Sequence, residues 1–502
     1  MQCISRSLAA LFSVVALTVG ISGCGKDAES VSPAQAGVAA TEYAERIGRS
    51  IGTDAMMSHL TRLQEIADQH DGNRAMGTPG YRASVDYVVN LLRDKGFDPQ
   101  TSDFEVRLPF AEKPDLTVAG AAVPAVPLSF TVGTDPEGVS GPLVAARVEE
   151  TPGCADADYD GLPTQGAVVL VDRGSCPFAE KQTIASKRGA LALIVADNVE
   201  RPIEEFGGTL GSATDVKIPV VSITKDEGAR LRADPGDATL KLKAGVNVKQ
   251  TTNVIAQTKT GSRDNVVMVG AHLDSVPEGP GINDNGSGVA AVLETALQMG
   301  SSPEVDNAVR FAFWGAEELG LLGSSDYIGK LDTDQLKDIA LYLNYDMVGS
   351  PNPGYFTYDG NQSAPPAPDG GVPRVPEGSA GIERMLVGYL DGAGKPARDT
   401  SFDGRSDYDA FTAAGIPSGG LFSGAEESKT AEQAEIWGGQ ADEPFDPNYH
   451  KKTDTLEQID RTALEILGRG VGYSTALYAQ DTGGRNGVPV REDRTRHVSS
   501  PS

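Results

Sequence analysis

Acidic side chains and a histidine cluster just past the ends of apolar runs. His272 and Asp274 follow the run ending at Ala271, Glu317 and Glu318 follow the one ending at Trp314, and Asp346 closes Ile339–Tyr345. A lone carboxylate in such a place is ordinarily a helix cap or a solvated turn. Three successive runs ending this way are harder to read as coincidence, and the chemistry is coherent. Carboxylates and imidazoles suit zinc, which they bind at ~2.0–2.2 Å, and several together can hold two ions.

For these residues to meet, the runs must be strands of one sheet. Val266–Ala271, Val309–Trp314, Ile339–Tyr345 and Ser418–Phe422 read as strands, with a helix over Val289–Met299. Strands alternating with helices predict an α/β fold with a mixed, largely parallel sheet sandwiched by helices. In such sheets ligand sites form outside the carboxyl ends of the strands, which puts the five residues on one rim. Upstream, Met56, Leu60, Leu63, Ile66 and Ala67 recur at helical spacing over Thr53–Gln69. A second helix runs from Tyr81 to Lys95 and stops at Gly96, and Asp103–Leu108 reads as a strand.

Residues 107–249 differ in character. Short β-branched runs (Ala167–Val171, Ala192–Ala196, Pro219–Ile223) alternate with turns, with one helix near Ala179–Arg188. Gly166-Ala-Val-Val-Leu-Val-Asp-Arg-Gly-Ser-Cys-Pro-Phe178, Lys187-Arg-Gly-Ala190, Ile194-Val-Ala-Asp-Asn198 and Ile218-Pro-Val-Val-Ser222 together resemble a protease-associated domain, a non-catalytic insert of secreted peptidases.

The rim motifs resemble a family as well. His272-Leu-Asp274, Gly281-Ile-Asn-Asp284-Asn-Gly-Ser-Gly288, Trp314-Gly-Ala-Glu317-Glu-Leu-Gly-Leu-Leu-Gly-Ser324, Asn344-Tyr-Asp346-Met-Val-Gly349, Gly404-Arg-Ser-Asp407 and Tyr449-His450 are similar to the secreted two-zinc aminopeptidases. That family, a zinc-exopeptidase fold, includes aminopeptidase Y and the bacterial leucine aminopeptidases; actinobacterial lipoprotein aminopeptidases also resemble this chain. The resemblance implies one zinc on His272 and Asp346, a second on Glu318 and His450, and Asp284 bridging them. A bridging anion makes physical sense, because two dications so close repel strongly. It further implies Glu317 as general base, Tyr449 as donor to the oxyanion, Asp274 orienting His272, and Arg405 on the substrate side. Relatives often carry cysteines two residues either side of the last histidine; Asn448 and Lys452 stand there instead, so the loop lacks that staple. The implied activity is removal of single residues from peptides with a free N-terminus. Nothing in the sequence supports a calcium ion, and a monomer is expected.

The five histidines sort themselves against this pattern: His272 and His450 lie in motifs, while His59, His70 and His497 read as surface residues. Phe422 and Trp437 are candidate walls for the substrate's first side chain, or core residues. Net charge is −27 with no basic stripe, which excludes a nucleic-acid partner. The acidity serves solubility or attracts a cationic N-terminus.

The first residues carry an export signal: Arg6, then the apolar Leu8–Val19, too short to span a bilayer as a helix. Ile21-Ser22-Gly23-Cys24 resembles the bacterial lipobox, predicting lipid on Cys24 and a protein held at the outer face of the cell membrane; a plain secretory signal is the alternative. Of the remaining cysteines, Cys154 and Cys176 form an even pair in an oxidising compartment, so a disulfide is predicted, with two free thiols as the alternative. The expected organisation is signal 1–23, tether 24–50, a catalytic domain from 51–106 and 250–482, the insert 107–249 and a disordered tail 483–502.

Other chemistries fit less well. A zincin would show H-E-x-x-H, which does not occur; a serine hydrolase would show G-x-S-x-G on a turn directly after a strand, and the one letter match, Gly48-Arg-Ser-Ile-Gly52, follows no strand-like run. Gly286-Ser-Gly-Val-Ala-Ala291 mimics a dinucleotide fingerprint but begins well after its strand. A glutamate carboxypeptidase would need a long C-terminal helical domain. A receptor built on the same two domains would have lost zinc ligands.

Overall fold

Eight strands build the sheet that carries the candidate residues: β1 (Gln100–Ala111), β2 (Ala244–Gln257), β3 (Ser262–His272), β4 (Asn307–Trp314), β5 (Ile339–Tyr345), β6 (Phe356–Tyr358), β7 (Arg398–Thr400) and β8 (Ser418–Phe422). This computed structural model describes residues 33–147, 152–364, 375–483 and 487–498. The signal, Cys24 and residues 365–374 of the Pro/Gly-rich sequence that follows Asn361 lie outside the described residues. The spatial order is β1-β2-β4-β3-β5-β8-β6-β7. β3 is parallel to β4 and β5, and β5 to β8, whereas β2 is antiparallel to β1 and β4. Val266–Val269, Phe311–Trp314 and the whole of β5 are buried, as parallel strands covered on both faces must be.

Helices α1 (Pro33–Ser50), α2 (Thr53–Gln69), α3 (Pro79–Asp94), α4 (Gly288–Met299), α5 (Ser379–Gly392) and α6 (Arg461–Gln480) contribute to the cover. The stripe Met56, Leu60, Leu63 and Ile66 of α2 is buried in the main core. α3 starts where Thr78 accepts the Tyr81 amide and Pro79 occupies the first turn. At the head of α4, a Cβ on Gly288 would lie 2.2 Å from the Tyr345 carbonyl oxygen. The glycine therefore lets α4 dock on the end of β5, which accounts for the nucleotide-like Gly-Ser-Gly without a nucleotide.

The antiparallel pairing of β1 with β2 runs from Gln100↔Ile255 to Ala111↔Ala244. A second sheet begins beyond this ribbon, at Asp115, and ends at Lys241. Its parallel centre is Leu143–Ala145, Val168–Asp172, Ala192–Ala196 and Val220–Ile223, with its own core around Leu170, Ile194 and Val221. Cys154 and Cys176 are disulfide-bonded there.

Three expectations need correction. Much of the expected tether is α1, whose Ala40, Ala44 and Ile47 are buried in the main core. Small alanines at helical spacing pack closely while looking like linker composition. The segment 487–498 is not a loose tail: Val488 and Arg494 are buried, Arg491 pairs with Asp338 at 2.7 Å, and Arg496 donates to the Ile339 carbonyl at 2.9 Å. Arginines that read as solvated polarity instead satisfy backbone acceptors. His59 is buried rather than exposed, its ring between the Tyr87 hydroxyl at 2.6 Å and Glu294 at 3.2 Å.

Candidate metal centre

β3 is flanked by β4 and β5, with His272 beside Trp314 and Gly270 beside Asn344. Chain leaving these three neighbouring strands therefore delivers His272, the Glu317–Glu318 turn and Asp346 to one place. Ala316 takes a left-handed backbone, φ 59°, and the turn that follows sends the two glutamates apart. Glu317 Oε2 is 3.8 Å from His272 Nε2, whereas Glu318 Oε2 is 3.0 Å from His450 Nε2.

Asp284 stands between the two imidazoles. Its Oδ1 lies 3.2 Å from His272 Nε2 and its Oδ2 3.2 Å from His450 Nε2. Asp346 Oδ1 is 3.3 Å from the same His272 nitrogen. His272, Asp284 and Glu318 form one group whose ligand atoms lie close enough for a metal ion, and His272, Glu317 and Asp346 another.

Whether these residues fit metal ions can be tested on their polar atoms. Glu318 Oε1 is buried and lacks a hydrogen-bond partner among the described residues, and leaving it so is costly unless something positive reaches it. The donor set of imidazoles and carboxylates suits zinc. The residues fit.

Electrostatics point the same way. Burial alone would lower His272, yet Glu317, Asp346 and Asp284 raise it well above its ordinary value. Burial opposes His450 too, and Asp284 and Glu318 lift it to about 10. Burial would raise Asp284, but hydrogen bonds from both histidines hold it below the usual carboxylate range. Burial drives Glu317 well up, helped by the charges of Asp346, Asp407 and Glu318, and drives Glu318 to about 7.

The surroundings fix the ligands. Trp314 Nε1 donates to the Tyr342 hydroxyl, which donates to Asn344 Oδ1; Asn344 Nδ2 donates to Ser406 Oγ, which donates to Asp346 Oδ2 at 2.6 Å. Because an indole N–H can only donate, the chain runs one way, toward Asp346. His272 Nδ1 is 3.1 Å from the backbone carbonyl of Asp274, and the Asp274 carboxylate is 3.9 Å from that nitrogen. Arg74, fully buried, donates to the carbonyls of Pro280 at 2.9 Å and Gly281 at 2.6 Å. Burial lowers it to about 10 although Asp274, Asp454 and Asp284 resist.

A cavity of about 320 Å³ opens beside the centre, lined by Met347, Phe356, Phe422, Phe445, Arg405 and Tyr449 among others. Arg405 pairs with Glu426 at 2.7 Å and lies 3.4 Å from the Tyr449 hydroxyl. Tyr449 stacks on His450, with ring centroids 3.8 Å apart. Phe422 is thus a cavity wall, whereas the Trp437 indole donates to the Pro396 carbonyl and packs in the core. Sequence reasoning gave no role to Arg74, Ser406, Asp446 or Asp454. Ser406 lay inside a quoted motif, and the two aspartates lie four residues either side of His450.

Residues 253–475 match the model of Peptidase family M28, and residues 139–231 that of the PA domain. A probable lipoprotein aminopeptidase of Mycobacterium tuberculosis is 63% identical over 98% of this chain and 98% of its own. An aminopeptidase from Aneurinibacillus sp. strain AM-1 superposes with a TM-score of 0.59 at 26% identity, over 86% of this chain and 95% of the other. A zinc aminopeptidase from Bacillus subtilis gives 0.50 at 29%, over 84% and 94%. The chain belongs to peptidase family M28, with an inserted PA domain. It is a zinc-dependent aminopeptidase.

Proposed function

We propose that the enzyme holds two zinc ions, one on His272 and Asp346, the other on Glu318 and His450, with Asp284 shared, and that it removes residues singly from free peptide N-termini. The observation that carries this reading is Asp284, whose two oxygens each face a different histidine at 3.2 Å. Bound zinc supplies Lewis acidity and brings the pKa of water toward neutrality. Glu317, on the cavity side, takes the proton of the attacking water. The Tyr449 hydroxyl, beside the Arg405 guanidinium, keeps its own proton for the oxyanion that develops at the scissile carbonyl. Glu317, Asp346 and their neighbours match an ammonium group when the scissile bond is the first. An internal bond would set a neutral amide there, a mismatch that can cost several orders of magnitude.

The same reading puts a lipid on Cys24 and the catalytic domain outside the cell membrane. Support comes from the lipobox-like Ile21-Ser22-Gly23-Cys24 and from the relative described as a probable lipoprotein. Among the described residues no helix is long and apolar enough to cross a membrane.

The test compares a short peptide with its N-acetylated twin by mass spectrometry, alongside metal analysis. Stepwise loss from the free peptide alone, with about two zinc ions per chain, is the expected result. Internal fragments from either peptide, or full activity in metal-free protein, would overturn the reading.

A further inference from the structure

His450 projects from a turn without the cross-link that Asn448 and Lys452 could have provided as cysteines, and its side chain is 42% exposed. Both ends of the turn are nevertheless held by buried carboxylates. Asp454 accepts the backbone amides of Asn283 at 2.7 Å and Asp284 at 3.0 Å, one on each oxygen. Its own carbonyl accepts the Ile282 amide at 3.3 Å. At the other end, Asp446 accepts Asn283 Nδ2 at 2.6 Å and the Asn448 amide at 2.8 Å. Asn283 in turn accepts the Gly349 amide at 3.0 Å, three residues after Asp346. Asp446 and Asp454 are 1% and 2% exposed.

We propose that Asp446 and Asp454 are positioning residues that staple the His450 loop to the peptide carrying Asp284, so that His450 and the shared carboxylate are pre-set without a covalent bridge. The inference rests on the two-zinc reading for its consequence, though not for its geometry. Hydrogen bonds from backbone amides to a carboxylate are short and strong, and the amides served are those of Asp284 itself and the residue before it. A site left to an untethered loop would have to order that loop at each binding event.

The experiment uses Asp454→Asn and Asp446→Asn in the full chain. In metal-free protein, hydrogen exchange over residues 446–454 should accelerate. Zinc titration against a competing chelator should show the weaker-held ion loosened about 10–100-fold. Exchange elsewhere in the catalytic domain should stay as in the wild type, which an unspecific structural defect would not allow. Unchanged exchange and zinc affinity in both aspartate variants would overturn the proposal, as would acceleration spread evenly over the whole catalytic domain. If Asp454→Asn fails to fold, Asp446→Asn decides by the same readouts. Failure of the wild type to hold two zinc ions would instead defeat the two-zinc reading, and the exchange rates would still judge the staple.

Discussion

The Asp274 carboxylate accepts the backbone amide of Glu317 at 3.1 Å and approaches that of Glu318 at 3.4 Å. It therefore holds the turn that separates the two glutamates, and His272 takes its nearer contact from the Asp274 carbonyl. Replacing Asp274 with alanine should release that turn. We expect a loss of about 10–100-fold in activity, with His272 still able to bind metal. Zinc content that falls to zero would show that Asp274 acts chiefly through the histidine.

Glu317 and Glu318 should separate cleanly. Glu317→Gln keeps the shape and should retain zinc while kcat falls by about 10²–10⁴, the usual scale of general base catalysis. Glu318→Gln should lose metal. If Glu317→Gln lost zinc and Glu318→Gln kept it, the two roles would have to be exchanged.

The pH dependence of the metal-free protein follows from the same carboxylates. Burial raises Glu318 from 4.5 to about 7, so its ionised form is disfavoured in the fold. Stability is lost as pH rises from 4.5 through 7. Although burial opposes it, His450 is raised from 6.5 to about 10 by Asp284 and Glu318; its protonated form is favoured in the fold. That contribution is complete below 6.5 and lost as pH rises through 10. Both signs agree, so the melting temperature of metal-free protein should fall between pH 5 and 9, as thermal melts would record. A shallower decline is expected in His450→Gln. A curve that rises over this window would contradict the charge assignment.

Cys24→Ser should leave the protein unprocessed or free in the medium. Labelling cells with a fatty acid should mark the wild type and not the variant. An unlabelled wild type would count against the anchor.

Much of this was legible in the chain. The strands over 192–196, 339–345 and 418–422 and the helix over 53–69 stand where periodicity put them, because apolar spacing follows from local backbone geometry. His272, Asp284, Glu317, Glu318, Asp346 and His450 could be singled out as candidates from motifs and the resemblance they carry, and the structure brings the six together. Tertiary structure decided what depends on partners distant in sequence. Asp284 divides its oxygens between histidines from different loops, and Asp454 finds its acceptor role only when the loop folds over Asn283. α1 and residues 487–498 were misread for the same reason. Alanines and arginines are polar or neutral as letters, and only the surface they meet determines whether they pack or dissolve.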